Sequence, residues 1–424
     1  MAQALCWCSR WQLVADPCES RLNMRLHWKS AAARPAALLA AMAAAVLLGS
    51  AFYFASEAPR TGDGVATYMP TSADEVIERL QQHSAASKRD LRARSAASAS
   101  LTKDPVLAVT LARRHYDRAR SEGDPREMGL AQSALGHWWD QADGPVPVLL
   151  MKAAIRQYQH DFEGALQDLE KAISAEPANI QAWLSQAAIQ QTVGMLDDAA
   201  RSCSRLVALS NHVAGHVCLA DLASLKGDRS ALDKISRLSG SRSASGEMGW
   251  ILTVLAEMAE RLGRPVDADK LFKSAIAADA GSYQRVAYAD FLLLQGRAGE
   301  VETVLQASPP TDAVSLRRSI ALKRTGDPRA AVAIAILRQR FESSMSRSDS
   351  LHLRELARFA LDIDGDPNAA LALAKRNWTV QKEPADALLL TKAAVAAGIP
   401  KDADPVRAFV RDPGMFDVRL DALL

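Results

Sequence analysis

The chain has 424 residues, of which 49% are hydrophobic and 24% charged, a balance that excludes a polypeptide disordered throughout. Lys and Arg number 51 against 49 Asp and Glu, so the net charge of +2 lacks the basic excess of a general nucleic-acid binder. Aromatic residues are only 5% and alanine is abundant, which favours close-packed helices over sheets.

Met24 is followed by Arg25, Lys29 and Arg34 and then by a long apolar run. That pattern reads as a natural start, with residues 1–23 an extension and 1–34 a cytoplasmic segment. Residues 35–55, PAALLAAMAAAVLLGSAFYFA, are 21 residues without a charge. As a helix they are about 31 Å long, enough to cross the hydrocarbon of a bilayer. Phe52, Tyr53 and Phe54 stand where an interfacial aromatic belt belongs. The near flank is basic, whereas residues 56–75 carry Arg60 against Glu57, Asp63, Asp74 and Glu75. The positive-inside rule then predicts a single-pass protein with everything after residue 55 outside the cytoplasm, which in a bacterium is the periplasm. The competing reading is a cleaved signal peptide. Its best site, Ser56-Glu57-Ala58, is followed by Pro59, and the length and flanks favour the anchor.

Residues 56–103 read as a linker, with helical spacing only at 74–80 (Val76, Ile77, Leu80). Its cluster of Lys88, Arg89, Arg92 and Arg94 is a solvated face or a contact for anionic headgroups.

From residue 104 the punctuation is regular. Glycines fall at 123, 194, 227, 263, 296, 326, 365 and 398, and His160 takes the place of one between 123 and 194. The successive gaps are 37, 34, 33, 36, 33, 30, 39 and 33 residues. A period near 34 predicts helix–turn–helix units, each glycine closing the first helix. Asp124-Pro125, Asp327-Pro328 and Asp366-Pro367 predict starts of the second, with Asp as N-cap and Pro in the first turn. Small and large apolar residues recur in register: Ala153, Ala165, Leu169 and Ala172; then Trp183, Ala187, Leu196 and Ala199; then Leu255, Ala256, Ala268, Phe272 and Ala275.

This pattern resembles the tetratricopeptide repeat, most closely in DFEGALQDLEKAISAEPANIQAW (161–183). The units at 247–279 and 350–381 match less well, and those at 213–240 and 282–308 are placed by spacing. The resemblance implies an all-α, right-handed solenoid of about eight hairpins over 104–400, behind one transmembrane helix. Residues 384–397 predict a capping helix. The tail 401–424 follows, where Pro400, Pro405 and Pro413 prevent one regular helix.

The repeat array carries no recognisable reactive centre. A Gly-rich phosphate loop, a GxSxG elbow, HExxH and CxxC are all absent from the sequence. DIDGDPN (362–368) resembles a calcium loop in its alternating acids, but Gly365 and Leu373 occupy the wrong loop positions, and a turn with a helix cap explains the same residues. His212, His216, Cys203 and Cys218 are a weak zinc set, with Cys218 on a different face from His216. Cys203 belongs to a second helix and Cys218 to the next first helix. They are small core residues, or a disulfide in an oxidising compartment if their Cα atoms fall within about 7 Å. The sequence thus predicts neither an enzyme, a cofactor nor a metal site.

In the repeat family, partners contact first-helix residues on the concave face. That implies Gln157, Tyr158, Gln181, Gln191, Trp250, Tyr283, Asp290, Lys323 and Arg324 as candidates. Their mixed character suits an extended peptide or a protein loop. The expected role is a membrane-anchored scaffold for a protein or peptide partner. The alternatives are a peptide-holding chaperone for an exported enzyme, and an enzyme or ligand sensor. The last would be distinguished by a buried pocket with convergent ionisable groups.

Overall fold

The computed structural model describes residues 103–123, 125–210, 213–239, 247–345 and 353–424. Segments 1–34 and 35–55, the linker up to Thr102, and His212 lie outside these residues. Among the described residues no helix is long and apolar enough to cross a membrane.

Within them the structure is helical, without a strand. The first hairpin is α1 (Pro105–Glu122) with α2 (Pro125–Ala134), followed by the short α3 (Gly136–Trp139). Then come α4 (Val146–Tyr158) with α5 (Phe162–Ala175), α6 (Ile180–Thr192) with α7 (Leu196–Ser210), and α8 (Val213–Leu225) with α9 (Ala231–Ser239). The second half holds α10 (Met248–Arg261) with α11 (Pro265–Ala278), α12 (Ser282–Leu294) with α13 (Val301–Leu305), and α14 (Asp312–Thr325) with α15 (Ala330–Met345). α16 (Leu353–Arg358), widened into a π-type turn over Phe359–Asp364, pairs with α17 (Pro367–Trp378). α18 (Pro384–Ala396), α19 (Asp404–Phe409) and α20 (Val418–Asp421) close the chain.

The turn chemistry explains the punctuation. All eight periodic glycines have positive φ, between 65° and 92°. His160, which replaces a glycine, is the one described non-glycine residue in that region, at φ 61°. Side-chain caps start several helices: Asp104 accepts from the Val106 N–H at 2.9 Å, Asp161 from Gly164 at 3.0 Å, Asn179 from Ala182 at 3.0 Å and Asp366 from Ala369 at 2.9 Å. The Asp327-Pro328 pair departs from expectation. There the carboxylate accepts from the Arg329 N–H at 2.8 Å, residues 327–329 form a turn, and α15 begins only at Ala330.

Each hairpin packs on the next, and first helices stack on first helices: α1 on α4, α4 on α6, α8 on α10, α10 on α12, α12 on α14. Alanines occupy the close approaches, with Ala165, Ala172, Ala187, Ala199, Ala256, Ala268 and Ala275 fully buried. Three apolar clusters result. The first joins α1–α4 through Tyr116, Leu135, Ile155 and Tyr158; the second joins α4–α6 through Leu149, Phe162, Leu169 and Ile189. The third runs continuously from Leu184 to Leu420.

Residues 401–424 do more than end the chain. Pro400 opens a 3₁₀ turn, Pro405 lies in the first turn of α19, and Val406, Phe409, Met415 and Leu420 are buried. The segment returns to turns far earlier in the chain: the Phe416 N–H donates to the Leu225 carbonyl at 2.6 Å and Arg419 pairs with Glu260 at 2.9 Å. Just ahead of it, the Lys382 N–H donates to the Thr192 carbonyl at 2.8 Å. A solenoid joined only to its neighbours has no such contacts. Here the C-terminal segment clasps the turns of the third, fourth and fifth hairpins.

Candidate functional site: the inner face of the array

The clasp engages the third to fifth hairpins. Toward the N-terminus, α1, α4 and α6 enclose a groove of about 340 Å³. Leu150, Met151 and Val109 form its apolar floor, and Arg113, Asp117 and Glu176 its charged rim. Tyr116 stands edge-on to Tyr158 with ring centroids 6.3 Å apart, and the Arg120 guanidinium lies 5.7 Å from the Tyr116 centroid. These contacts fix the first wall.

A largely buried charged set holds α4 to α5. Arg156 donates to Asp168 at 2.6 Å and to the Gly164 carbonyl at 3.0 Å, while Lys152 donates to the Gln141 carbonyl at 2.9 Å and lies 3.5 Å from Asp168. Burial lowers the Lys152 pKa and raises that of Asp168, in each case against the pull of the opposite charge.

The nine predicted partner-binding residues separate into distinct settings. Gln157, Tyr158, Trp250 and Tyr283 are buried and pack inside the array. Tyr283 donates to Glu257 at 3.1 Å. Gln191 is buried and donates to Asp221 at 2.6 Å, and Asp221 also pairs with Arg261 of α10. Gln181 lines the N-terminal groove and donates to Ser185 at 2.9 Å. Lys323 donates to the Ile363 carbonyl at 2.6 Å, closing α14 onto the π-type turn. Asp290 and Arg324 line a second recess farther along.

Asp290 accepts from Arg317 at 2.7 and 2.9 Å and from Arg358 at 2.6 Å. Burial pushes its carboxyl up, but the two guanidiniums outweigh that and hold it at about 2.

Cys203 on α7 and Cys218 on α8 face each other sulfur to sulfur, both fully buried, with Cα atoms 5.9 Å apart. Asp362 is engaged by Arg324 at 3.1 Å and Asp364 by Arg338 at 2.7 Å, so two acids of the DIDGDPN turn already have cationic partners. Among the described residues no three His, Cys, Asp or Glu side chains are grouped to hold a metal.

No protein-family profile and no curated relative matches the chain. Similar solved structures include a tetratricopeptide repeat protein from Parabacteroides merdae, at 13% identity and TM-score 0.34 over 70% of this chain and 99% of that one. Another is the APC/C hetero-tetramer Cut9–Hcn1, at 11% identity and TM-score 0.38 over 78% and 85%. A third is the human IFIT1 dimer with PPP-AAAA, at 14% identity and TM-score 0.37 over 77% and 87%.

Proposed function

We propose that the chain is a tetratricopeptide-type scaffold, anchored by residues 35–55 in a bacterial inner membrane, that holds a protein or peptide partner on the periplasmic side. The observation that carries the binding role is the open groove of α1, α4 and α6. It combines an apolar floor with a mixed charged rim, whereas the clasp covers turns farther along. An extended segment can lay apolar side chains against Leu150 and Met151 while its polar groups meet the rim.

The periplasmic side is supported by the charge asymmetry around residues 35–55 and by the facing pair of Cys203 and Cys218, whose Cα separation suits a disulfide. The bridge is part of the proposal.

A photo-crosslinking residue at position 150 of the full chain in native membranes tests the groove, with position 332 on α15 as the control. Val332 is 64% exposed. A discrete adduct from 150 and none from 332 is expected; equal labelling at both overturns the groove. Protease added to intact spheroplasts is expected to digest the array. Digestion only after the membrane is opened overturns the orientation.

A further inference from the structure

The second recess lies within the clasped half, a cavity of about 110 Å³ between α10, α12, the end of α14, the π-type turn, α18 and α20. Leu293, Leu361, Leu388 and Leu389 supply apolar wall. Phe272 of α11 also lines it, and ionisable groups face it from each of the other elements. α10 contributes Glu257 and Glu260, α12 Asp290, α14 Arg324, α16 with its turn Arg358 and Asp362, α18 Lys392 and α20 Arg419.

Seven of these eight groups are paired. Glu257 accepts from Tyr283, Glu260 pairs with Arg419, Asp290 with Arg358, and Asp362 with Arg324. Lys392 is the exception. It is half-buried and makes no hydrogen bond or ion pair with another described residue. Burial lowers its pKa, helped by the nearby Arg358, Arg419 and Arg324 and opposed by Asp362. Glu260, meanwhile, is pushed up by burial, which weakens the negative side of the lining.

The Lys392 ammonium stands half-buried beside the leucine wall without a protein anion, and a single anionic group on a hydrocarbon body complements both features. We propose that this cavity binds a small monocarboxylic acid with a branched apolar body, its carboxylate on Lys392 and its hydrocarbon against Leu388 and Leu389. The space is smaller than the 150 Å³ or so that accommodates benzene, so the ligand has about five to seven heavy atoms. The site is separate from the N-terminal groove and would make the array a sensor of such acids as well as a scaffold.

The probe is 3-methylbutanoate, with 3-methylbutanamide as its uncharged match, titrated calorimetrically into the purified full chain. Saturable binding of the acid and none of the amide is expected. Lys392→Met should weaken the acid by about tenfold or more, the loss of a charged hydrogen bond, without lowering the unfolding midpoint. In the unmodified protein, the acid should also protect Lys392 from reductive methylation. Equal binding of acid and amide overturns the proposal. So does an affinity unchanged in Lys392→Met, or absence of both saturation and protection up to about 10 mM, the weak end for so small a ligand.

Discussion

Gly194 and Gly296 occupy equivalent turns, at φ +85° and +74°, but differ in what lies beside them. A Cβ in the left-handed region costs about 1–2 kcal/mol at either position. At Gly296 the added methyl meets nothing within 4 Å. At Gly194 it would stand 2.8 Å from Cε2 and Cζ of Phe409 and 3.1 Å from Cδ of Lys382. Phe409 is packed edge-on against Trp378 with centroids 5.5 Å apart, so moving it disturbs a filled space at a further cost of about 1–3 kcal/mol. Gly296→Ala should therefore lose about 1–2 kcal/mol and Gly194→Ala about 2–5 kcal/mol. Urea unfolding of the two variants, followed by circular dichroism and tryptophan fluorescence, measures the difference. Repeating it in a Phe409→Ala background completes a double-mutant cycle, in which the excess at Gly194 should disappear with the ring. Equal losses at the two glycines, or an excess that survives without Phe409, would refute the docking of the C-terminal segment on this turn.

Three further outcomes follow from buried charge and sulfur. Arg354 donates to Glu383 at 2.6 Å and to Asp386 at 2.5 and 2.6 Å, all three residues being buried, so Arg354→Met should cost about 3–5 kcal/mol in a denaturant titration. Asp290 is depressed from 3.8 to about 2 in the folded protein, so its contribution is present above pH 3.8 and fades as pH falls through about 2. Asp290→Asn should flatten the acid limb of a stability–pH curve across that window, and an unchanged limb contradicts the pairing with Arg317 and Arg358. If Cys203 and Cys218 form a bridge, its closure of a 15-residue separation is worth about 3 kcal/mol. Reductant should then lower the unfolding midpoint of the wild-type protein and leave a Cys203→Ala/Cys218→Ala variant unmoved.

The repeat was legible because its punctuation is local. A residue at positive φ must recur wherever one helix turns into the next, and even the substitute His160 adopts that conformation. The alanine register was equally legible, since close helix approach admits little else. Less of the inner face could be foreseen. Trp250 and Tyr283 occupy first-helix positions that the repeat family turns toward partners, yet here they are buried inside the array. Their burial depends on neighbours that periodicity does not rank. Lys152 gave a usable signal, a charge within a helix stretch whose neighbours are largely apolar, whereas Arg354 lies in the mixed stretch LRELAR and gave none. The return of residues 404–424 left none, because Phe416 meets Leu225 and Arg419 meets Glu260 across separations where no local rule operates.

That return changes the physics of the array. In an open solenoid each hairpin is stabilised by its two neighbours, and opening can begin at any unit. The clasp ties the turns at Thr192, Leu225 and Glu260 to residues 382–419, so the third to fifth hairpins cannot open without releasing the C-terminus. The apolar clusters follow the same division: one runs from Leu184 to Leu420, while the clusters at α1–α4 and α4–α6 lie outside it. The first two hairpins therefore rely mainly on neighbour contacts, with Val380 packed against the α4–α6 cluster, and belong to the low-stability end of the molecule. They also form most of the open groove. An extended partner laid across α1, α4 and α6 would bridge these looser hairpins to the clasped body, so binding at this site would order and stabilise them at a cost in conformational entropy that a site farther along would not carry.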